Sequence, residues 1–346
     1  MSSPVLETID LRLTFTGRGV RRGVDARAVD GVNLEVQPGE IVALAGESGC
    51  GKTSLARTIL GLETPTAGEV RYQGVKLDYS SKALRRYRRG VQLVLQDPTG
   101  ALNPRHSVYE AVAEGLRIHK VPGNEEELVA KALSLAGLRP PERFFLQYPH
   151  ELSGGQRQRV VIAGALALEP SVIIADEPVS SLDASVRGEI LALLLKLRDE
   201  MGLSVLVVTH DLGLAWNIAD RIAIMYLGRI VEIGPTDEVL ANPKHPYTKA
   251  LLAVAAHRQA GDGTRAPVLL QGEPPDPTRI PDGCRFHPRC PALADGTAQQ
   301  AGIDAKCVGE LLPMLPVGGG HQAACHLAAR LPETVPDGPG SIPAQR

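Results

Sequence analysis

The stretch GESGCGKTS, Gly46–Ser54, follows the pattern GxxxxGK[ST] and stands between an all-apolar run, IVALA (41–45), and a helical stretch, TSLARTIL (53–60). That order constrains the fold more than any other feature of the chain. Gly46, Gly49 and Gly51 let the backbone curl so that its N–H groups converge on phosphate oxygens, while the following helix points its positive end at them. Glu47, Ser48, Cys50 and Ser54 complete the cradle. Lys52 is placed to neutralise the β- and γ-phosphates, and the Thr53 hydroxyl to ligate Mg²⁺.

Four more short apolar runs follow: VQLVLQ (91–96), SVIIAD (171–176), SVLVVT (204–209) and RIAIMY (221–226). Helical stretches such as ASVRGEILALLLKLRDE (184–200) separate most of them. Strands that are apolar on both faces suit a largely parallel sheet covered on both sides, so an α/β layered architecture is expected. The basic cluster ALRRYRRG (83–90) reads as a solvated helical face. A chain of 346 residues has room for two domains, or for one large domain with an appendage. A formal charge of −2 provides no global basic field, so nucleic acid is not an expected partner. The opening MSSPVLETID has no basic start followed by an apolar block. The apolar runs also fall far short of the roughly 20 residues that span a bilayer. A cytosolic chain with reduced thiols is the expectation.

A phosphate cradle needs a carboxylate to orient the metal and a group to position water. SVIIADEP supplies both at the end of a strand: Asp176 for magnesium, and Glu177 for the water as general base or orienter. In ELSGGQRQR, Ser153 reads as the N-cap of a long helix, with Gly154, Gly155 and Gln156 making its first turn a second anion site.

LSGGQRQR (152–159) resembles the signature of the ATP-binding cassette (ABC) ATPases. The family's other elements stand in order. Gln96 in VLQDP resembles the Q-loop glutamine, which also reaches the magnesium; Asp183 in SSLD resembles the D-loop; His210 in VVTHD resembles the switch histidine at the γ-phosphate. Phe15 in LRLTFTG is the nearby aromatic for stacking on adenine, and a place in the core or on a strand surface is its other reading. The resemblance implies a RecA-like core with an antiparallel β subdomain and a helical subdomain. It also implies a mechanism in which the signature of one subunit closes over the nucleotide held by the phosphate loop of another.

Fifty-six residues lie between Gln96 and Ser153. That length suffices for a helical subdomain near 97–165 and not for the long coiled-coil arm of DNA-repair relatives. A cassette without a spanning helix needs separate membrane partners.

Beyond residue 255, NPKHPYTKALLAV gives way to an irregular texture containing GEPPDPTRIPDGCRFHPRCP, then CVGE and HQAACHL. These resemble the carboxy-terminal region of the oligopeptide, dipeptide and nickel importer ATPases. The resemblance implies a peripheral ATPase on the cytosolic face for peptide import, with nickel or another solute, or a cytosolic ABC ATPase without a transporter, as alternatives. Two permease subunits, a solute-binding protein and a second, related cassette would be its partners. Of the five cysteines, Cys284, Cys290, Cys307 and Cys325 fall in this region, separated by 5, 16 and 17 residues. The spacing lacks the CxxC pairs of zinc ribbons. The resemblance implies a [4Fe–4S] cluster, with zinc as the alternative, remote from hydrolysis. The expected organisation is a cassette over 1–255, a four-cysteine module over 256–331 and a disordered tail over 332–346.

Overall fold

In the computed structural model the five apolar runs lie side by side in one sheet; the structure describes residues 3–17, 25–180, 182–260 and 276–330. The strands, in chain order, begin with β1 (Leu6–Thr16), β2 (Asp25–Val36), β3 (Ile41–Ala45), β4 (Ala67–Tyr72) and β5 (Val75–Lys76). They continue with β6 (Val91–Val94), β7 (Val172–Asp176), β8 (Ser204–Thr209), β9 (Arg221–Tyr226), β10 (Arg229–Pro235), β11 (Leu315–Pro316) and β12 (Gln322–Ala323). β2-β1-β4-β5 form an antiparallel sheet, and the second sheet has the order β11-β12-β10-β9-β3-β8-β7-β6. From β9 to β6 its neighbours pair parallel.

Burial on both faces explains the apolar runs. Along β7, Ile173 and Ala175 pack into one core and Val172 and Ile174 into another. β8 alternates in the same way, with Val205 and Val207 on one side and Leu206 and Val208 on the other. A period of two with no polar face is what a covered parallel sheet requires.

The helices that cover it include α1 (Lys52–Ile59), α2 (Ser81–Gly90), α3 (Pro98–Ala101), α4 (Val108–His119), α5 (Glu125–Leu135), α6 (Gly154–Leu166) and α7 (Ala184–Met201). After them come α8 (Leu212–Ile218), α9 (Thr236–Ala241) and α10 (Pro246–Ala260). α4 opens on a capping box, in which Ser107 and Glu110 satisfy each other's backbone N–H groups. α4, α5, α6 and α7 share one apolar core with a face of the sheet. No helix among the described residues is long and apolar enough to cross a membrane.

Several details depart from the sequence pattern. The run 91–96 leaves the sheet after Val94, because Asp97 accepts from Thr99 N at 2.9 Å and starts α3, with Pro98 at its first position. The basic cluster on α2 is exposed at Arg85, Arg86 and Arg89, as expected of a solvated face. Its Tyr87 is buried, however, with the hydroxyl donating to Ile59 O at 2.7 Å. RIVEIGP (229–235) is a further buried strand, whose apolar pattern is interrupted by the buried Glu232. The cysteine-bearing region extends the main sheet, with β12 pairing antiparallel to β10 through Glu232↔Ala323 and Ile233↔Gln322. The expected tail at 332–346 and the stretch 261–275 lie outside the described residues.

Ile174 is fully buried in a central strand two residues before Asp176. Ile174→Ala should cost about 2–5 kcal/mol, read as a lower denaturant midpoint with unchanged slope; a midpoint equal to the parent's would contradict this packing.

Candidate functional site

Strand register brings the motif residues together. Ala45 of β3 pairs with Thr209 of β8, and Asp176 of β7 pairs with Val208 of β8, so three strands end level with one another. Gly46, Glu177 and His210 are the next residues on each strand. The phosphate loop therefore faces a carboxylate and an imidazole across one crevice at the carboxyl ends of the strands, where open α/β sheets bind ligands.

Within the loop, glycine is required by space as well as by torsion. A Cβ on Gly46 would lie 2.2 Å from Met225 O, and one on Gly51, at φ +109°, 2.1 Å from Ala28 O. Gly49 has a positive φ of 80° with open space around it. Lys52 is buried and donates through Nζ to Gly46 O at 2.7 Å and Glu47 O at 3.0 Å. Its charge is thus held inside the loop. Cys50 is buried too, and burial pushes its thiol pKa up, which is the signature of a packing residue rather than a reactive thiolate.

Thr53, in the first turn of α1, hydrogen-bonds to Asp176. Burial raises the Asp176 carboxyl above its ordinary range, the bond from Thr53 opposes that, and the neighbouring Glu177 adds to it. Glu177 takes a left-handed turn, φ 49°, directly after the strand and donates its N–H to Val208 O at 2.8 Å. His210 Nδ1 lies 2.6 Å from Glu177 Oε1, with the imidazole half exposed and the carboxylate mostly covered. Strand end, strained turn and ring together aim one carboxylate at the crevice.

Gln96 is exposed between β6 and α3, on the connection that leads into the helical layer. Ser153 caps α6: its hydroxyl accepts from Gln156 N at 3.2 Å, and Gln156 Oε1 accepts from Ser153 N at 2.9 Å. Gly154 and Gly155 complete that first turn, and Gly155 lies so close to Val186 that a Cβ would meet it at 2.6 Å. Asp183 stands exposed at the start of α7 without capping it. Phe15 is 43% exposed on β1, so it is not a core residue, and it lines a large cavity with Asp25, Arg27 and Asp276 to Gly283.

Comparison with known proteins bears on this arrangement directly. Residues 29–180 match the model of the ABC transporter family, and residues 231–296 match that of the oligopeptide/dipeptide transporter C-terminal region. The dipeptide transport ATP-binding protein DppF of Escherichia coli is 43% identical over 301 residues, which cover 84% of this chain and 87% of that one. The oligopeptide transport ATP-binding protein AppF of Bacillus subtilis is 39% identical over 331 residues, 93% and 97% of the two chains. The chain belongs to the ABC transporter ATP-binding subunits.

Solved structures agree on the cassette fold. The structure of cbiO1 from Clostridium perfringens, part of the ABC transporter complex cbiONQ, is 30% identical with a TM-score of 0.62, over 70% of this chain and 92% of that one. The dimeric ATP-binding cassette MJ0796, bound to ADP and Pi, is 32% identical with a TM-score of 0.59, over 67% and 98%. As an ABC ATPase, this chain binds and hydrolyses ATP.

The cysteine region of this ABC subunit is not remote from the Gly46–Ser54 loop, contrary to its place in the sequence. Arg289, beside Cys290, makes a two-point ion pair with Glu47 of the phosphate loop, 2.8 and 3.2 Å. That bond pushes the already high pKa of Arg289 further up. Tyr247 on α10 accepts from Glu47 N at 2.8 Å through its hydroxyl, and its ring packs 5.4 Å from Phe286. Neither partner of Glu47 was visible as a functional residue in the sequence; the only signal was an arginine in the densely patterned GCRFHPRCP. Cys284, Cys290, Cys307 and Cys325 line one small cavity of about 20 Å³ with His287 and His326. Burial raises all four thiols, Cys284 to about 12 and Cys307 to about 11. Among the described residues, no three or more His, Cys, Asp or Glu side chains close into a group that would hold a metal ion.

Gly51→Ala should weaken ATP binding by at least tenfold, since neither the left-handed torsion nor the contact with Ala28 O tolerates a methyl group. Equilibrium binding of a fluorescent ATP analogue reads this out, and parental affinity would count against the loop geometry.

Proposed function

We propose that this chain powers the import of di- and oligopeptides as one of two ABC cassettes bound to the cytoplasmic face of a membrane transporter. One observation carries the peptide assignment: a cassette runs on, in a single chain, into a region matching the oligopeptide/dipeptide transporter C-terminal family. Relatives named for dipeptide and oligopeptide transport, aligned over most of their length, support it. Two permease subunits and an extracytoplasmic solute-binding protein complete the complex. The other cassette is a related but unequal chain. The division into a cassette over 1–255, with a helical subdomain near 97–165, and a C-terminal module over 256–331 belongs to the same proposal.

The site residues take these roles. Backbone N–H groups of Gly46–Ser54 hold the phosphates, Lys52 swings from its carbonyl partners to the β- and γ-oxygens, and Phe15 stacks on adenine. Thr53, Asp176 and Gln96 would hold Mg²⁺; the hydrogen bond between Thr53 and Asp176 keeps a hydroxyl and a single carboxylate together, a donor set that suits an ion which retains several waters. When bound, that ion neutralises charge on the transferring phosphoryl group. Glu177 orients the attacking water and accepts its proton, and His210 holds the Glu177 carboxylate and meets the γ-phosphate. The start of α6, Ser153 to Gln156, with Ser153 exposed and Gly154 and Gln156 half-buried, and the exposed Asp183 face the nucleotide of the partner cassette. Gln96, on the connection into the helical layer, relays nucleotide state to the membrane partners.

A [4Fe–4S] cluster at Cys284, Cys290, Cys307 and Cys325 is part of this reading. What supports it is a donor set of four thiols lining one cavity, soft ligands of the kind that hold iron–sulfur clusters as well as zinc; among the described residues they do not close into a group that would hold a single metal ion. Bound there, it would cross-link a segment with little core of its own. Protein purified without oxygen should be brown and contain four iron and four sulfide per chain; colourless protein with one zinc would select the alternative.

Glu177→Gln should retain ATP, accumulate a closed cassette pair on size exclusion, and turn over at least a hundredfold more slowly. Near-parental turnover would remove Glu177 from its role. Labelled di- and oligopeptide uptake should disappear in cells lacking the gene while Ni²⁺ uptake persists; the reverse would make nickel the substrate.

A further inference from the structure

Glu47 presents an electrostatic difficulty. It directly follows Gly46 in the loop that must receive a triphosphate, and an uncompensated carboxylate there repels the ligand. The structure resolves this by drawing the side chain onto Arg289, 242 positions away in the sequence. Arg289 Nη1 and Nη2 each take one carboxylate oxygen, at 2.8 and 3.2 Å, in the fork geometry that makes such pairs strong and directional. The Arg289 side chain is only 7% exposed, and its guanidinium carbon lies 6.0 Å from the centre of the Tyr226 ring.

The same residue is held at its backbone. The Glu47 N–H donates to the Tyr247 hydroxyl, and its carbonyl accepts from Lys52 Nζ. Tyr247, Tyr226 and Phe286 form one aromatic cluster, with ring centres 4.6 to 5.4 Å apart. Phe286 caps, and Arg289 ends, a single turn of 3₁₀ helix, His287–Arg289. One short segment of the C-terminal region therefore both supports and neutralises a loop containing three glycines, whose freedom would otherwise have to be lost when ATP binds.

We infer that Arg289 is a positioning residue for ATP binding: it cancels the charge of Glu47 and holds the phosphate loop in its receptive shape, so the C-terminal segment helps set nucleotide affinity. Arg289 acts on the loop through Glu47. The inference rests on Gly46–Ser54 being the ATP site, and Lys52→Ala tests that separately.

The experiment uses the full-length chain, with ATP-analogue titration, ATPase kinetics and a melting curve for each variant. Arg289→Ala should weaken binding and raise KM about tenfold while kcat at saturating ATP stays within about twofold. Arg289→Lys should recover part of the loss, because it keeps the charge without the fork. Arg289→Ala combined with Glu47→Gln should recover most of it, since no unpaired carboxylate then faces the triphosphate. Lys52→Ala should abolish binding. If Arg289→Ala binds ATP like the parent while Lys52→Ala does not, the inference is overturned and the ATP site stands. It is equally overturned if Arg289→Ala loses kcat and melting temperature together with affinity and the double variant does no better, for then Arg289 merely supports the fold. Parental binding by Lys52→Ala would overturn the site and the inference with it.

Discussion

The parallel ladder joining β3, β8 and β7 sets where the Gly46 loop, Asp176, Glu177 and His210 stand relative to one another. Because Ala45 is level with Thr209 and Asp176 with Val208, the residues that leave the three strands emerge along one edge. A slip of one residue in either pairing would turn alternate side chains to the opposite face and carry Asp176 away from Thr53. The ladder is held by burial on both sides: β3 and β8 have no exposed position. The placement of these side chains is a by-product of hydrophobic register.

A second constraint ties the C-terminal region to that frame. Glu232 of β10 is wholly buried and accepts from Lys244 N at 2.6 Å, His245 N at 3.0 Å and His321 Nε2 at 2.7 Å. Asp30 of β2 is buried against Arg285, with Arg12 and Arg229 nearby. Buried carboxylates persist only when their lone pairs are filled, and the C-terminal segment supplies a partner to each. The region, whose own core is only a small cluster around Ala323, Cys325 and Ala328, is thus joined to the cassette by charge satisfaction, an added pair of strands and the cluster around Phe286. That attachment carries Arg289 to the phosphate loop.

Local motifs were legible in the sequence because their physics is local. The loop glycines, the Ser153 cap and the strand-ending acids each need only a few neighbours to be recognised, and all lie where their patterns require. The five apolar runs were readable because a doubly covered strand leaves no polar alternation. Legibility failed where the deciding partner is distant. β10 carries Glu232 in its middle, which reads as polar until its three donors are in place. Phe15 is a core candidate on composition, and only the pairing of β1 with β2 turns it outward. The end of β6 before Gln96 follows from Asp97 and Pro98, a local signal that the apolar pattern overrode.

The sequence by itself determined the local elements: a glycine loop with Lys52 and Thr53, a paired Asp176 and Glu177, a capped helix start at Ser153 and a histidine after a strand, in an order that resembles the ABC ATPases. Those constraints act over a few bonds, so adjacency in the chain encodes them. Tertiary structure alone decided who meets whom across long separations: His210 with Glu177, Arg289 with Glu47, and four dispersed cysteines around one cavity. Such meetings depend on strand order and on which buried charges find partners, and neither is written in any stretch of neighbouring residues.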